Sequence, residues 1–129
     1  MLSFIHLHVH SPFSFLDGAS PLPDLVQQAA AFGSPAMAIT DHNNVSGAVQ
    51  FHKLAIDAGI LPIQGAELTM NSGHHLVALA QDSVGYANLC QLLTIAYQAG
   101  DRLHPQVPTT ALAKYSKNLI FLSGCRRGQ

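Results

Sequence analysis

Charged side chains are scarce in this sequence: Asp, Glu, Lys and Arg make up 10% of its 129 residues, against roughly 25% in an ordinary globular chain. The formal net charge is −1, so the overall field does not predict attraction to nucleic acid or to an anionic membrane. Apolar residues account for 48% of the chain. This composition argues against disorder and is typical of a sheet covered by helices.

Long hydrophobic runs and a cysteine framework are also missing. The apolar stretches are strand-sized or broken by polar residues, which excludes a transmembrane span, and "MLSFIHLHVH" lacks the basic start of a signal peptide. Two cysteines, Cys90 and Cys125, do not make a disulfide scaffold. We therefore expect a cytoplasmic protein with reduced thiols, and its length fits one domain or part of one.

Hydrophobic periodicity predicts an alternation of strands and helices. Strict alternation in "SFIHLHVH" predicts a first strand over 3–10, with histidines on one face and apolar residues on the other. The further strands are expected at 35–40, 60–68, 75–80 and 118–124, and the helices at 21–32, 45–58, 84–99 and 109–116. Ser20 is the expected N-cap of the first helix. The order predicts a mainly parallel α/β architecture, with a hairpin turn at "TMNSG" joining the third and fourth strands.

Histidine is the abundant polar residue, because the chain has eight histidines and only six Lys plus Arg. Candidate ligands stand where predicted strands end, and this is the edge where α/β barrels build their sites. The candidates are His8 and His10, Asp41 and His42, Glu67, and Cys125. Asp17 lies in a loop that can fold back over the same edge, and hairpin pairing places His75 near Glu67.

The remaining histidines and cations have simpler interpretations. We expect His52 to be packed on its helix and His104 to be solvated, and strand alternation lets only one of His74 and His75 face the site. Cys90 is expected in the core. Arg126 and Arg127 are expected at a solvated end rather than in a phosphate clamp.

Imidazoles that share a site with carboxylates favour Zn²⁺, Mn²⁺ or Fe²⁺ over Ca²⁺. Several such ions with a bridging Glu are the usual equipment for hydrolysing phosphate esters. No phosphate-binding glycine loop or nucleotide fingerprint competes with this interpretation.

Five blocks, "HLHVHSPFSFLDGAS", "AITDHNNVSGAV", "GILPIQGAEL", "HLVALAQDSVGYANLCQLL" and "LIFLSGC", resemble successive motifs of the PHP (polymerase and histidinol phosphatase) domain. The version at the N-terminus of bacterial DNA polymerase III alpha subunits is the most similar, and "SFLDGAS" and "GYANLCQLLT" favour its error-prone branch. The resemblance spans essentially the whole chain. It implies that residues 1–129 form the N-terminal part of a distorted (β/α)7 TIM-like barrel with up to three divalent metal ions.

The resemblance also implies the ligands. His8, His10 and Asp17 belong to the first motif, His42 is a ligand of the second, and Glu67 is the bridging carboxylate. His75 and Cys125 would supply the third ion, and Asp41 would be either a ligand or an orienting neighbour. The family pattern continues beyond residue 129 to a late Asp and His, so the cluster is expected to lack its last ligands here.

Three functions follow from this. The first is a metal-dependent phosphoesterase region of an alpha-type polymerase, which acts on a DNA 3′ end, another phosphate ester or pyrophosphate. The second is a non-catalytic, metal-stabilised scaffold that docks an exonuclease subunit or the rest of the polymerase. The third is a free-standing phosphatase of the histidinol phosphate type, against which the polymerase-like "GYANLCQLL" block speaks.

Overall fold

A computed structural model describes residues 3–123 and residue 126. Its centre is a four-stranded sheet in which the strands follow one another in chain order. The strands are β1 (Ala36–His42), β2 (Leu61–Thr69), β3 (His75–Ala80) and β4 (Leu119–Leu122). The helices are α1 (Leu22–Ala31), α2 (Ala48–Asp57), α3 (Ser83–Ala99) and α4 (Thr109–Lys114).

The strand pairing combines a parallel crossover with a hairpin. β1 and β2 pair parallel, with α2 between them, whereas β2 and β3 pair antiparallel, as do β3 and β4. Strands β1, β2 and β4 therefore run in one direction, as a mainly parallel architecture requires. The pairing itself is mixed, because the predicted hairpin inserts β3 between β2 and β4.

The segment 3–10 is extended but forms no regular strand, so the prediction of a first strand there was wrong. It lies along β1 with a single bridge between His6 and Met37. Ala38 N donates to His6 O and Thr40 N donates to Val9 O. The step from His6 to Val9 is three residues, whereas the matching step on β1, from Ala38 to Thr40, is two. The extra residue breaks the pairing register, as in a β-bulge. The Thr40 hydroxyl accepts from Val9 N in place of a carbonyl.

The helix boundaries differ slightly from the prediction. Pro21, rather than Ser20, caps α1, and no side chain bonds there. Helix α2 begins at Ala48, because Asn44 accepts from Ser46 N and holds the preceding residues in a turn. No helix within the described part of the chain is long and apolar enough to cross a membrane.

Strand alternation separates a helix-covered face from a second face that carries the site. Met37 and Ile39 pack with α1 and α2, while Ala66, Leu68 and Ala78 pack with α3. The opposite face carries a smaller cluster of Ala38, Val77 and Leu79. His42 and His75 share this face, because they lie an even number of residues from Ala38 and Val77 on the same strands. Glu67 shares it because it pairs directly with Val77.

Candidate metal centre

Six of the predicted ligands meet at one edge of the sheet. They come from the extended N-terminal segment, the loop after it, and strands β1, β2 and β3. They line one cavity of about 660 Å³: His8, His10, Asp17, His42, Glu67 and His75. The antiparallel direction of β3 brings its first residue to the edge where β1 and β2 end.

Glu67 is the centre of this cluster. It is 1% exposed, and its Oε1 lies 2.9 Å from His8 Nε2. Its Oε2 lies 2.6 Å from His42 Nδ1 and 3.5 Å from both His10 Nε2 and His75 Nδ1. One buried carboxylate therefore contacts four imidazoles that come from three separate parts of the chain.

Asp17 joins two of the same rings from the solvent side. Its Oδ2 lies 2.7 Å from His10 Nδ1 and 2.6 Å from His42 Nε2. The loop folds back because Asp17 N and Gly18 N both donate to Ser14 O. A Cβ on Gly18 would lie 1.9 Å from Ser11 O, so this close approach requires glycine.

Asp41 stays outside the cluster although it neighbours His42. It lies on the opposite side of β1, where it is 1% exposed. Its Oδ1 accepts from Ser11 N at 2.7 Å and from the Ser14 hydroxyl at 2.6 Å. Its Oδ2 accepts from the Ser11 hydroxyl at 2.6 Å. Both oxygens are thus engaged in holding the loop that carries Asp17.

The polar atoms of the cluster fit a metal ion better than they fit one another. Four buried atoms have no aligned hydrogen-bond partner among the described residues: His8 Nε2, His10 Nε2, and both carboxylate oxygens of Glu67. These atoms lie within a few ångströms of each other but do not point along donor–acceptor lines. Buried polar groups left in this way are costly, and a shared cation satisfies them together. The imidazole and carboxylate donors suit divalent metal ions.

Electrostatics keep the carboxylates ionised, which is the state that binds metal. Burial alone would raise the pKa of Glu67. The contact with His42 and the charges of His42, His8 and His10 outweigh this effect and lower the pKa from 4.5 to about 2. Hydrogen bonds from His42 and His10 lower the pKa of Asp17. Contact with Glu67, and then with Asp17, raises the pKa of His42 although burial opposes this.

The ligand atoms form three overlapping groups. Within each group the atoms lie within 4.8 Å of one another, and the groups are His8, His10 and Glu67; His10, Asp17 and His42; and His42, Glu67 and His75. Of the two adjacent histidines, His75 faces the cluster and His74 contacts Ser72. Cys125, predicted as a ligand, lies outside the described residues.

Arg126 is exposed, as expected, and it also lines the same cavity, which the sequence did not indicate. Phe15 also lines this cavity, and nothing in its local sequence distinguishes it from a core aromatic residue. Ser11 and Ser14 were missed as partners of Asp41, because that contact joins residues about 30 positions apart.

Three other residues lie away from the centre. His104 is exposed, as expected, and contacts Asp101. His52 is exposed on α2 rather than packed, since it points into an open groove beside Gln64 and Tyr86. Cys90 is half-buried and free, so its predicted place in the core was wrong.

Comparison with known proteins agrees with this geometry. Residues 6–129 match the model of the PHP domain. The chain is 54% identical to an error-prone DNA polymerase of Symbiobacterium thermophilum over 99% of its own length and 13% of that protein. It is 42% identical to the DNA polymerase III subunit alpha of Vibrio cholerae over 98% of its length and 12% of that protein. The chain thus spans about an eighth of these curated relatives.

Solved structures show the same fold. A Bifidobacterium adolescentis protein assigned as a metal-dependent phosphoesterase superposes with a TM-score of 0.59 at 24% identity, over 74% of this chain and 33% of that one. An amidohydrolase of Chromobacterium violaceum with bound sulfate and no metal superposes with a TM-score of 0.60 at 30% identity, over 74% and 34%. The architecture is therefore part of the TIM-like barrel that the resemblance implied. By sequence and by fold, the chain belongs to the PHP domain family.

Proposed function

We propose that this chain carries the metal centre of a phosphoesterase within an alpha-type DNA polymerase. The observation that supports this is the convergence of four imidazoles on the buried, ionised carboxylate of Glu67, with buried nitrogen and oxygen atoms that lack hydrogen-bond partners among the described residues. The similarity to polymerases and to a phosphoesterase fold supports the same assignment.

The ligand groups allow up to three ions. A neutral imidazole has one nitrogen lone pair free for a metal, so His10 and His42 each serve one ion although each belongs to two groups. We assign His8, His10 and Glu67 to one ion, Asp17 and His42 to a second, and Glu67 and His75 to a third. Glu67 can serve two ions because it has two oxygens. Cys125 remains a proposed ligand of the third, and Zn, Mn and Fe all suit these donors.

Divalent ions at this centre would supply Lewis acidity to a phosphate ester. The chain's own residues give the centre its shape. Asp41 holds the serine loop and thereby places Asp17 over the rings, which is an orienting role. Arg126 places a guanidinium in the cavity wall, where it can pair with a phosphate oxygen.

The substrate proposed is a phosphodiester, with a phosphomonoester or pyrophosphate as the other phosphate compounds to test. The partner proposed is the polymerase core, because the polymerase relatives are about eight times longer than the part matched here. The non-catalytic scaffold and the free-standing phosphatase are not favoured by these relatives.

The test is metal content of the full chain by plasma mass spectrometry, followed by hydrolysis of bis(p-nitrophenyl) phosphate, p-nitrophenyl phosphate and pyrophosphate. We expect at least about two equivalents of bound transition metal, a lower content in Asp17→Ala and His75→Ala, and hydrolysis that falls with the metal. His52→Ala and His104→Ala are the controls, because they remove exposed imidazoles outside the cluster.

Equal metal content in all five proteins would contradict the metal centre. Bound metal without hydrolysis of any of the three compounds would contradict the phosphoesterase and leave the metal centre standing.

A further inference from the structure

A second cavity opens directly beside the metal centre. It has a volume of about 540 Å³, within the range of small-molecule sites. It shares Phe15, His42 and Asn43 with the cavity of the metal centre, so the two spaces are adjacent around the His42 ring. A molecule bound at the metal centre can extend into this second cavity.

The wall of this cavity offers flat apolar surface. Phe15 is 84% exposed and Leu103 is 81% exposed, and they line the cavity together with Phe13 and Tyr97. Large side chains so exposed on one rim present an apolar surface to a ligand. An aromatic face at this place suits a planar ring that stacks on it.

The polar groups of the wall are mostly committed to the protein. The Tyr97 hydroxyl donates to Asn43 O, and the Asn44 amide donates to Phe13 O and His42 O. These bonds tie the N-terminal loop, the end of β1 and helix α3 into one wall. The cavity is therefore preformed.

Arg102 is the cation of this wall, and it forms no ion pair within the described part of the chain. The neighbouring carboxylate of Asp101 is engaged elsewhere, because its Oδ1 accepts from Leu103 N and His104 N at 2.7 Å each. Arg102 and Arg126 are two of only six Lys and Arg residues in the chain, yet both line these adjoining cavities. In a chain of net charge −1, two of the few cations therefore lie in the walls of the cavities around the candidate metal centre.

We propose that the second cavity is a subsite for the nucleotide that flanks the scissile phosphate of a single-stranded oligonucleotide. This inference rests on the proposed function. Phe15 supplies the stacking surface for a base, and Arg102 pairs with a neighbouring phosphate, which is the combination that binds single strands without reading sequence. A small phosphate ester reaches only the metal centre, so the subsite selects a polynucleotide as the substrate.

The test is fluorescence anisotropy of a fluorescein-labelled, phosphorothioate-linked thymidine hexanucleotide, which resists hydrolysis, titrated with the full chain after metal loading. We expect Phe15→Ala and Arg102→Ala each to weaken binding by roughly fivefold or more, the order of one lost stacking or phosphate contact. Phe32→Ala and Lys53→Ala are the matched controls, because both residues are exposed but line neither cavity. We expect them to change binding by less than about twofold.

Circular dichroism, metal content and bis(p-nitrophenyl) phosphate hydrolysis are measured on the same preparations. No binding by the wild type, or equal binding by all variants, overturns the subsite. If the chain hydrolyses the small diester but Phe15→Ala and Arg102→Ala do not weaken oligonucleotide binding, the subsite is overturned and the proposed function stands. Binding that depends on Arg102 and Phe15 without hydrolysis overturns the phosphoesterase and supports the second cavity as a single-strand binding site only.

Discussion

Adjacent residues of the Asp41–His42 pair have different tasks because a strand points them to opposite faces. His42 contacts Glu67 and Asp17 in the cluster. Asp41 accepts three hydrogen bonds from Ser11 and Ser14 and reaches none of the three ligand groups. A substitution at Asp41 therefore tests positioning, whereas one at Glu67 tests the centre itself.

Asp41→Asn lowers the free energy of unfolding by about 2 kcal/mol, because an amide leaves buried donors of the serine loop unpaired. Urea denaturation of the chelator-treated protein measures this change. Asp57→Asn is the control, since it alters an exposed carboxylate at the end of α2 and should change stability by less than about 0.5 kcal/mol. Loss of metal without loss of stability in Asp41→Asn would show a ligand instead of a positioning residue.

The Glu67–His42 contact predicts a pH window for the metal-free protein. The pKa of Glu67 is lowered from 4.5 to about 2, so its contribution to stability is present above pH 4.5 and is lost as the pH falls toward 2. The pKa of His42 is raised above 6.5, so its contribution is present below pH 6.5 and is lost as the pH rises through the raised value. After chelation, the melting temperature of the wild type should exceed that of Glu67→Gln by the largest margin between pH 4.5 and 6.5. A difference that does not vary with pH would contradict the charged contact.

At the scale of elements, the start of α3 anchors the hairpin to the last strand. Asp82 caps the helix by accepting from Gly85 N at 2.9 Å, and Asn118 Nδ2 donates to the other carboxylate oxygen at 2.8 Å. Gln81 N also donates to Asn118 O. The loop before β4 is therefore fastened to the end of β3, which keeps β3, and with it His75, in its register.

Gly85→Ala tests this packing against helix propensity. Alanine favours a helix over glycine by about 1 kcal/mol, but a Cβ at this position would lie 2.0 Å from Asn118 O, a backbone atom. We expect the clash to prevail and lower stability by about 1–3 kcal/mol. Calorimetry checks the melting temperature, with Gln91→Ala on the exposed side of the same helix as the control. A melting temperature above that of the wild type would show that the loop yields easily.

At the scale of the whole molecule, the candidate metal centre brings the N-terminal segment together with strands β1, β2 and β3. The N-terminal segment makes a single bridge to β1, and its Phe4, Ile5 and Leu7 are exposed. The apolar contribution that holds this segment is therefore small. Metal bound between His8, His10 and the strands would fasten the segment to the sheet.

Removal of metal should lower the melting temperature by several degrees. Ligands that bind only the folded state stabilise it by about 2.7 kcal/mol at a hundredfold excess over Kd, and a domain of this size melts about 2–8 °C lower for each kcal/mol lost. Thermal unfolding with and without a chelator measures the shift, which should shrink in Glu67→Gln because Glu67 is assigned to two ions. An unchanged melting temperature on chelation in the wild type would contradict the fastening of the N-terminal segment.

Most of the fold and of the candidate site was predictable from residue patterns. The helical periods, the hairpin at "TMNSG" and the ends of strands β1 and β2 depend on nearby residues, so they are visible in a linear sequence. The same patterns singled out the six residues that meet at the sheet edge. The first strand was not predictable, because an extra residue between His6 and Val9 matters only against the spacing of β1.

The sequence by itself determined which residues carry metal-binding donors and that His42 and Glu67 lie near the ends of neighbouring strands, because donor chemistry and strand period are local properties. Tertiary structure alone decided that Asp41 serves the serine loop, that Arg126 enters the cavity wall, and that Arg102 and Phe15 line a second cavity beside the first. Each of these depends on contacts between segments tens of residues apart, whose distance is set by how the loops pack on the sheet.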